Sequence, residues 1–206
     1  MTGPLVSDTP EAKVRILIVC TANRCRSPMA EALLGRRLQQ LGVDHVIRSC
    51  GRLGDGSPPP AHAVSVMRGY GLNIENRPSR PLDAATIATA DVIITMERAH
   101  ILDVSGLGTG TWPRTFSLHE IARRATRIGP RTAGETFPAW IVRLHAGRTP
   151  SDALFGDTTD DVADPIGGPE REFRDCAVIM DTLLGQFVAH AFPAGRSVAT
   201  PSSPFG

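Results

Sequence analysis

Residues 14–34 read VRILIVCTANRCRSPMAEALL, and everything else in the chain is placed by how this stretch divides. VRILIV is a β-branched, apolar run of the kind that forms a strand buried on both faces of a parallel sheet. It stops at CTANRCRSP. Ser27 is the expected N-cap of a following helix, with Pro28 as its first residue. Ala30, Leu33, Leu34, Leu38 and Leu41 then recur at helical spacing, and Gly42 ends the run. Strand, tight loop and helix thus follow one another within about thirty residues, as in a parallel βα unit.

The rest of the chain repeats that alternation. HVIRS (45–49) predicts a second strand, and SCGRLGDGSPPP a loop. Residues 61–70 predict a helix ending near Gly71, DVIITM (91–96) a third buried strand, and Arg114 to Leu118 a fourth. The clearest helix is 170–191. Phe173, Cys176, Met180, Leu183, Leu184, Phe187 and Ala191 share one of its faces, and Pro169 starts it. The order favours a parallel α/β sandwich with right-handed crossovers. The stretch 105–150 carries Trp112, Trp140, Arg123, Arg124, Arg127 and Arg131. It is read as an insertion packed on the same core, with helices near 117–126 and 134–146. Residues 1–12 are expected to be a flexible lead-in and 193–206 a disordered tail.

At ~150 residues per domain, 206 residues imply a single domain with decoration. The hydrophobic fraction of 41% is enough to fill a core. Net charge is +1, which argues against a nucleic-acid binder but leaves room for a local basic pocket. Of 22 basic residues only Lys13 is lysine, and arginine is the side chain suited to bidentate oxyanion contacts. No signal-peptide core and no apolar run of ~18 residues appears, so a cytoplasmic protein without a membrane span is expected. Cys20, Cys25, Cys50 and Cys176 suit reactive or buried thiols better than a disulfide framework, and no CxxC or His pair suggests a metal.

The chemistry centres on Cys20-Thr21-Ala22-Asn23-Arg24-Cys25-Arg26-Ser27-Pro28. A loop between a buried strand and a helix N-terminus aims its backbone N–H groups into one concavity, where a phosphate-like anion is favoured. Cys20, at the strand end, faces that field as a thiolate nucleophile. Arg26, six residues on, can grip two equatorial oxygens of a phosphoryl group in transfer. Asn23 tolerates the left-handed backbone such a turn needs, and Ser27 can donate towards the thiolate. The residues from Thr21 to Arg26 are therefore the expected phosphate cradle. A bare buried Cys ahead of a capped helix is the plain alternative.

VCTANRCRSPMAEAL resembles the signature loop of the low-molecular-weight protein tyrosine phosphatases, whose pattern is C-x-G-N-x-C-R-S-P after a hydrophobic strand. The resemblance implies a three-layer sandwich with a four-stranded parallel sheet, a two-step reaction through a phosphocysteine, and no cofactor. It implies a general acid/base in a late Asp-Pro motif. Here that is Asp164-Pro165, just ahead of the last helix; Asp160 and Asp161 are rivals that do not precede proline. It also implies that Cys25 can trap oxidised Cys20 as a disulfide. The expected partner is a phosphorylated protein or small phosphoester.

Three departures stand out. Ala22 replaces a usual Gly, and Arg77 a usual His that helps hold the loop Asn. No aromatic pair follows Asp164-Pro165, where Ile166 stands instead. Leu53 and Ile166 could form an apolar wall, with Trp112 or Trp140 reaching in. Arg24 disfavours a phosphoarginine substrate, since a cation there repels a guanidinium. An arsenate reductase-like thiol enzyme and a catalytically weak phosphate-binding regulator remain as alternatives.

Overall fold

The computed structural model describes residues 12–149, 151 and 160–193; the expected lead-in (1–12) and tail (193–206) lie almost wholly outside them. Strand β1 (Val14–Cys20) is the centre of the sheet. Its side chains alternate between two cores. Val14, Ile16, Ile18 and Cys20 join the larger one, while Leu17 and Val19 join the smaller. From Ile16 on, neither face meets water, which is why the sequence there is continuously apolar rather than alternating; only Arg15 is exposed. Each fully buried Leu or Ile contributes about 1.5–3 kcal/mol.

Strands β2 (His45–Gly51), β3 (Val92–Thr95) and β4 (Thr115–Ser117) complete a four-stranded sheet in the order β2-β1-β3-β4. All pairings are parallel. The register sets Cys20 beside Gly51 and Val19 beside Thr95, so the C-terminal ends of three strands converge on the loop after Cys20. Ligands of open parallel sheets bind at this end.

Helices α1 (Arg26–Gln40) and α2 (Ala61–Gly69) pack on the larger-core side, with α5 (Leu118–Ile128), α6 (Phe137–His145) and α7 (Glu170–Ala191). The short α3 (Ala84–Thr89) and α4 (Ala99–Leu107) cover the other face through Ile87 and Val104. This is the three-layer sandwich expected. Helix α1 begins one residue before Ser27, with Cys25 at the cap position and no side-chain cap. Ser27 is therefore not the N-cap that the sequence suggested; its hydroxyl is committed to the loop.

The segment 105–150 contains β4, which the sheet takes as its edge strand, and the helices α5 and α6. Ser117 caps α5 by accepting from the Glu120 N–H at 3.2 Å, and Thr136 caps α6 by accepting from Ala139 at 3.3 Å. Trp140 is fully buried, within ring-contact distance of Phe137 and Phe187. Arg148 closes the segment back on β4. It forks onto Glu120 at 2.7 and 2.9 Å, donates to the Thr115 carbonyl, and lies between the Trp112 and Phe116 rings at 3.9 and 4.0 Å. Both tryptophans are thus used by the core or by Arg148, and neither reaches the loop after Cys20. No helix among the described residues is long and apolar enough to cross a membrane.

Candidate active site

Cys20 ends β1 and is buried. The chain must turn within five residues to start α1, and Asn23 takes the turn with φ 52°. Among the described residues it is the one non-glycine in the left-handed region, which its short polar side chain allows. Ala22 has no positive φ, so its methyl group introduces no backbone strain.

Asn23 is held on three sides. Its backbone N–H donates to Cys20 Sγ at 3.3 Å, its Nδ2 donates to Ser27 Oγ at 2.8 Å, and its Oδ1 accepts from the Arg80 N–H at 2.8 Å. The support expected from a histidine thus comes from the main chain of Arg80. Arg77 instead pairs with Glu31 at 2.7 Å, a carboxylate it shares with Ser49. Ser27 Oγ stands 2.9 Å from Cys20 Sγ. Because that oxygen already accepts from Asn23, the hydroxyl proton is free for the sulfur. Gly51 presses on the loop from β2: a Cβ there would lie 2.5 Å from the Asn23 nitrogen.

Arg26 is 1% exposed and reaches into the loop from the first turn of α1. Its Nη1 donates to the Val162 carbonyl at 2.9 Å and to Glu97. Its Nη2 donates to Asp164 Oδ2 at 2.6 Å and to Thr21 Oγ1 at 3.1 Å. Burial works against its charge, but Asp164, Glu97 and Cys20 more than compensate and hold its pKa above the ordinary value. Of the three late aspartates, Asp164 alone reaches Arg26. Asp160 pairs with Arg123 of α5 at 2.8 Å, and Asp161 accepts from the Arg98 N–H at 2.8 Å.

The family model for low molecular weight phosphotyrosine protein phosphatase matches residues 15–124, more than half of the chain. This chain belongs to that family. EpsP of Ralstonia nicotianae, named a probable low molecular weight protein-tyrosine-phosphatase, is 34% identical over 106 residues, covering 52% of this chain and 71% of EpsP. Etp of Escherichia coli, a low molecular weight protein-tyrosine-phosphatase, is 38% identical over 97 residues, 45% of this chain and 60% of Etp. Among solved structures, the low molecular weight protein tyrosine phosphatase from T. tengcongensis superposes with a TM-score of 0.65 at 24% identity, covering 85% of this chain and 98% of that one. The YwlE arginine phosphatase from Geobacillus stearothermophilus does so with 0.60 at 26% identity, covering 84% and 89%.

In this phosphatase the remaining expected residues divide. Thr21 lies on the Arg26 side of the loop and Ala22 is half-buried within it. Arg24 turns away from the centre and ties the loop to the Pro58 carbonyl at 3.0 Å. Cys25 is buried at the helix start, its sulfur 3.9 Å from that of Met29, and burial drives its pKa far above the ordinary thiol value. Burial likewise pushes Cys176 up to about 12 and Cys50 up to about 11. Leu53 and Ile166 are exposed.

Two residues of the site were not read from sequence. Glu97 holds Arg26, and the buried His100 bonds Thr21 Oγ1 at 3.0 Å. Both follow DVIITM, and asking what comes after each parallel strand would have found them.

Proposed function

We propose that the chain hydrolyses phosphomonoesters, protein phosphotyrosine foremost, through a phosphocysteine on Cys20. The observation that carries this is the meeting of the loop after β1 with a carboxylate from far along the chain: Cys20, Ser27 at 2.9 Å from its sulfur, and Arg26 joined to Asp164 at 2.6 Å. In the first step Cys20 Sγ attacks phosphorus and the bond to the ester oxygen breaks. Arg26 and the N–H groups of the loop hold the equatorial oxygens as charge develops. The phosphoryl group replaces Asp164 as the partner of Arg26, and the released carboxylate takes up a proton from solvent and gives it to the departing oxygen. In the second step Asp164 takes a proton from water as the water attacks phosphorus. The P–S bond breaks and its electron pair returns to sulfur, where the Ser27 hydroxyl receives it.

The protein-tyrosine-phosphatase names of EpsP and Etp support this substrate class. A reductase relay is poorly served, because Cys50 and Cys176 sit in the two separate cores, Cys50 with the smaller and Cys176 with the larger. Hydrolysis of para-nitrophenyl phosphate without metal tests the reading. Cys20→Ser should abolish turnover, and Asp164→Ala should lower kcat about 10²- to 10⁴-fold. Undiminished turnover in Cys20→Ser would overturn it.

A further inference from the structure

Thr21 follows the nucleophile directly, and neither step above uses its side chain. Its half-buried hydroxyl has two partners, Arg26 Nη2 at 3.1 Å and His100 Nε2 at 3.0 Å. A guanidinium nitrogen only donates. His100 is settled by its other nitrogen: Nδ1 accepts the Glu97 N–H at 3.1 Å, so in the neutral ring the proton sits on Nε2 and is given to Thr21. Burial, opposed by Glu97 and aided by Arg26, keeps the His100 pKa below the ordinary value and the ring neutral. Both lone pairs of Thr21 Oγ1 are therefore engaged by donors. The hydroxyl proton is left to point in the remaining tetrahedral direction.

Asp164 shares the same guanidinium nitrogen. Its Oδ2 lies 2.6 Å from Arg26 Nη2, and Thr21 Oγ1 lies 3.1 Å from it. The two N–H bonds of that planar nitrogen diverge by about 120°, which sets the oxygens about 5 Å apart. One water, at about 2.8 Å from each oxygen, spans such a gap, and does so in the phosphoenzyme as long as Asp164, released from Nη2 to the phosphoryl group, stays on the Thr21 side of the loop.

We propose that Thr21, together with Asp164, holds the water that cleaves the phosphocysteine, and that His100 is the positioning residue that fixes the direction of the Thr21 proton. The proposal rests on the phosphocysteine reading above. The water accepts from the Thr21 hydroxyl with one lone pair and donates one proton to Asp164. Its second lone pair forms the bond to phosphorus. The P–S electron pair leaves on Cys20, the proton stays on Asp164, and inorganic phosphate is released. Thr21 itself loses no proton.

Rapid-mixing kinetics with para-nitrophenyl phosphate, with acid-quenched phosphoenzyme measured in parallel, separate the two steps. Thr21→Val keeps the shape and removes the hydroxyl. Its expected behaviour is an unslowed first release of para-nitrophenol, accumulation of phosphoenzyme to about one equivalent, and steady turnover lowered about 10- to 100-fold. Thr21→Ser should restore turnover. His100→Phe should follow Thr21→Val, whereas His100→Gln, which can still donate to Thr21, should recover part of the rate. The inference is overturned if Thr21→Val turns over like the wild type, or if its first step slows as much as its second, since Thr21 would then serve the anion cradle alone. Absence of any Cys20-dependent phosphoenzyme in the wild type would remove the underlying mechanism, and is told apart by appearing before any variant is made.

Discussion

Gly51 offers the sharpest test of how the loop is held. It pairs with Cys20 in the sheet, its N–H bonds the Arg80 carbonyl at 2.9 Å, and its carbonyl accepts from Leu82 at 2.9 Å. It is thus fixed between the signature loop and the 80–82 segment, with no freedom to withdraw. A Cβ at this position would stand 2.5 Å from the Asn23 nitrogen, 2.8 Å from the Ala22 carbonyl carbon and 2.9 Å from the Thr21 oxygen. All three are main-chain atoms. Relief to an ordinary contact of about 3.5 Å requires the loop to move about 1 Å.

That displacement acts on the N–H that Asn23 gives to Cys20 Sγ. Overpacking of this kind costs about 1–3 kcal/mol, and a misplacement of about 1 Å costs about 10²-fold in rate. At about 2–4 °C per kcal/mol, Gly51→Ala should lose about 2–12 °C in Tm and about 10²-fold in kcat/KM on para-nitrophenyl phosphate. Gly35→Ala is the control. In α1 its Cβ would meet only Ile47 Cδ1 at 3.8 Å, and alanine should stabilise the helix by about 0.5–1 kcal/mol with activity unchanged. Wild-type kcat/KM and Tm in Gly51→Ala would refute the picture of a loop clamped by this close approach.

Other predictions concern the Cys20–Cys25 pair and two ion pairs away from the loop. Arg148→Met leaves Glu120 without its fork and should destabilise by about 3–5 kcal/mol, read by urea unfolding; a loss below about 1 kcal/mol would show that the arginine is not what ties β4 to the segment after it. Peroxide converts Cys20 to a sulfenic acid, which the Cys25 thiol can displace as water to form a disulfide. Wild-type activity should then return with dithiothreitol, and that of Cys25→Ser should not; equal recovery would rule out the trap. Arg143 holds Glu135 ionised, with its pKa lowered to about 2 from the usual 4.5. The native state therefore binds this proton less readily than the unfolded chain. The contribution is present above about pH 4.5 and is lost as pH falls towards 2. In Glu135→Gln the decline of Tm across that window should be shallower; an identical decline would assign the acid sensitivity elsewhere.

The parts of the site that were legible in sequence are those joined by a short stretch of chain. Cys20, Asn23, Arg26 and Ser27 lie within one turn and one helix start, so loop chemistry alone groups them. Helix α7 was legible over its full length because one face is continuously apolar and Pro169 marks its entry. Glu97 and His100 were not, because what brings them to Arg26 is the pairing of Val19 with Thr95, a register that no local pattern encodes. Asn23 shows a different limit. Its third partner is the Arg80 N–H, and almost every residue has one, so the identity of residue 80 carries no signal. Ser27 shows a third: an N-cap and the second residue of a helix look alike when both precede proline. Short α3 was missed because six residues give too few periods to read, and α4 because exposed Leu102 and Leu107 beside buried Ile101 and Val104 blur its apolar face.

Before any substrate arrives, Arg26 is already neutralised, with Glu97 on one nitrogen and Asp164 on the other. Binding at this guanidinium is therefore a swap of one counterion for another rather than the filling of a bare charge. A monoanion such as chloride offers nothing that a carboxylate tethered 2.6 Å away does not already provide. A phosphoryl dianion brings a second negative charge and further acceptor oxygens for the loop N–H groups, and so wins the exchange. The same competition works in reverse once inorganic phosphate has formed. With Asp164 in the catalytic role proposed for it, the same carboxylate returns to the guanidinium and helps to evict the product, so turnover and resistance to product inhibition draw on a single side chain.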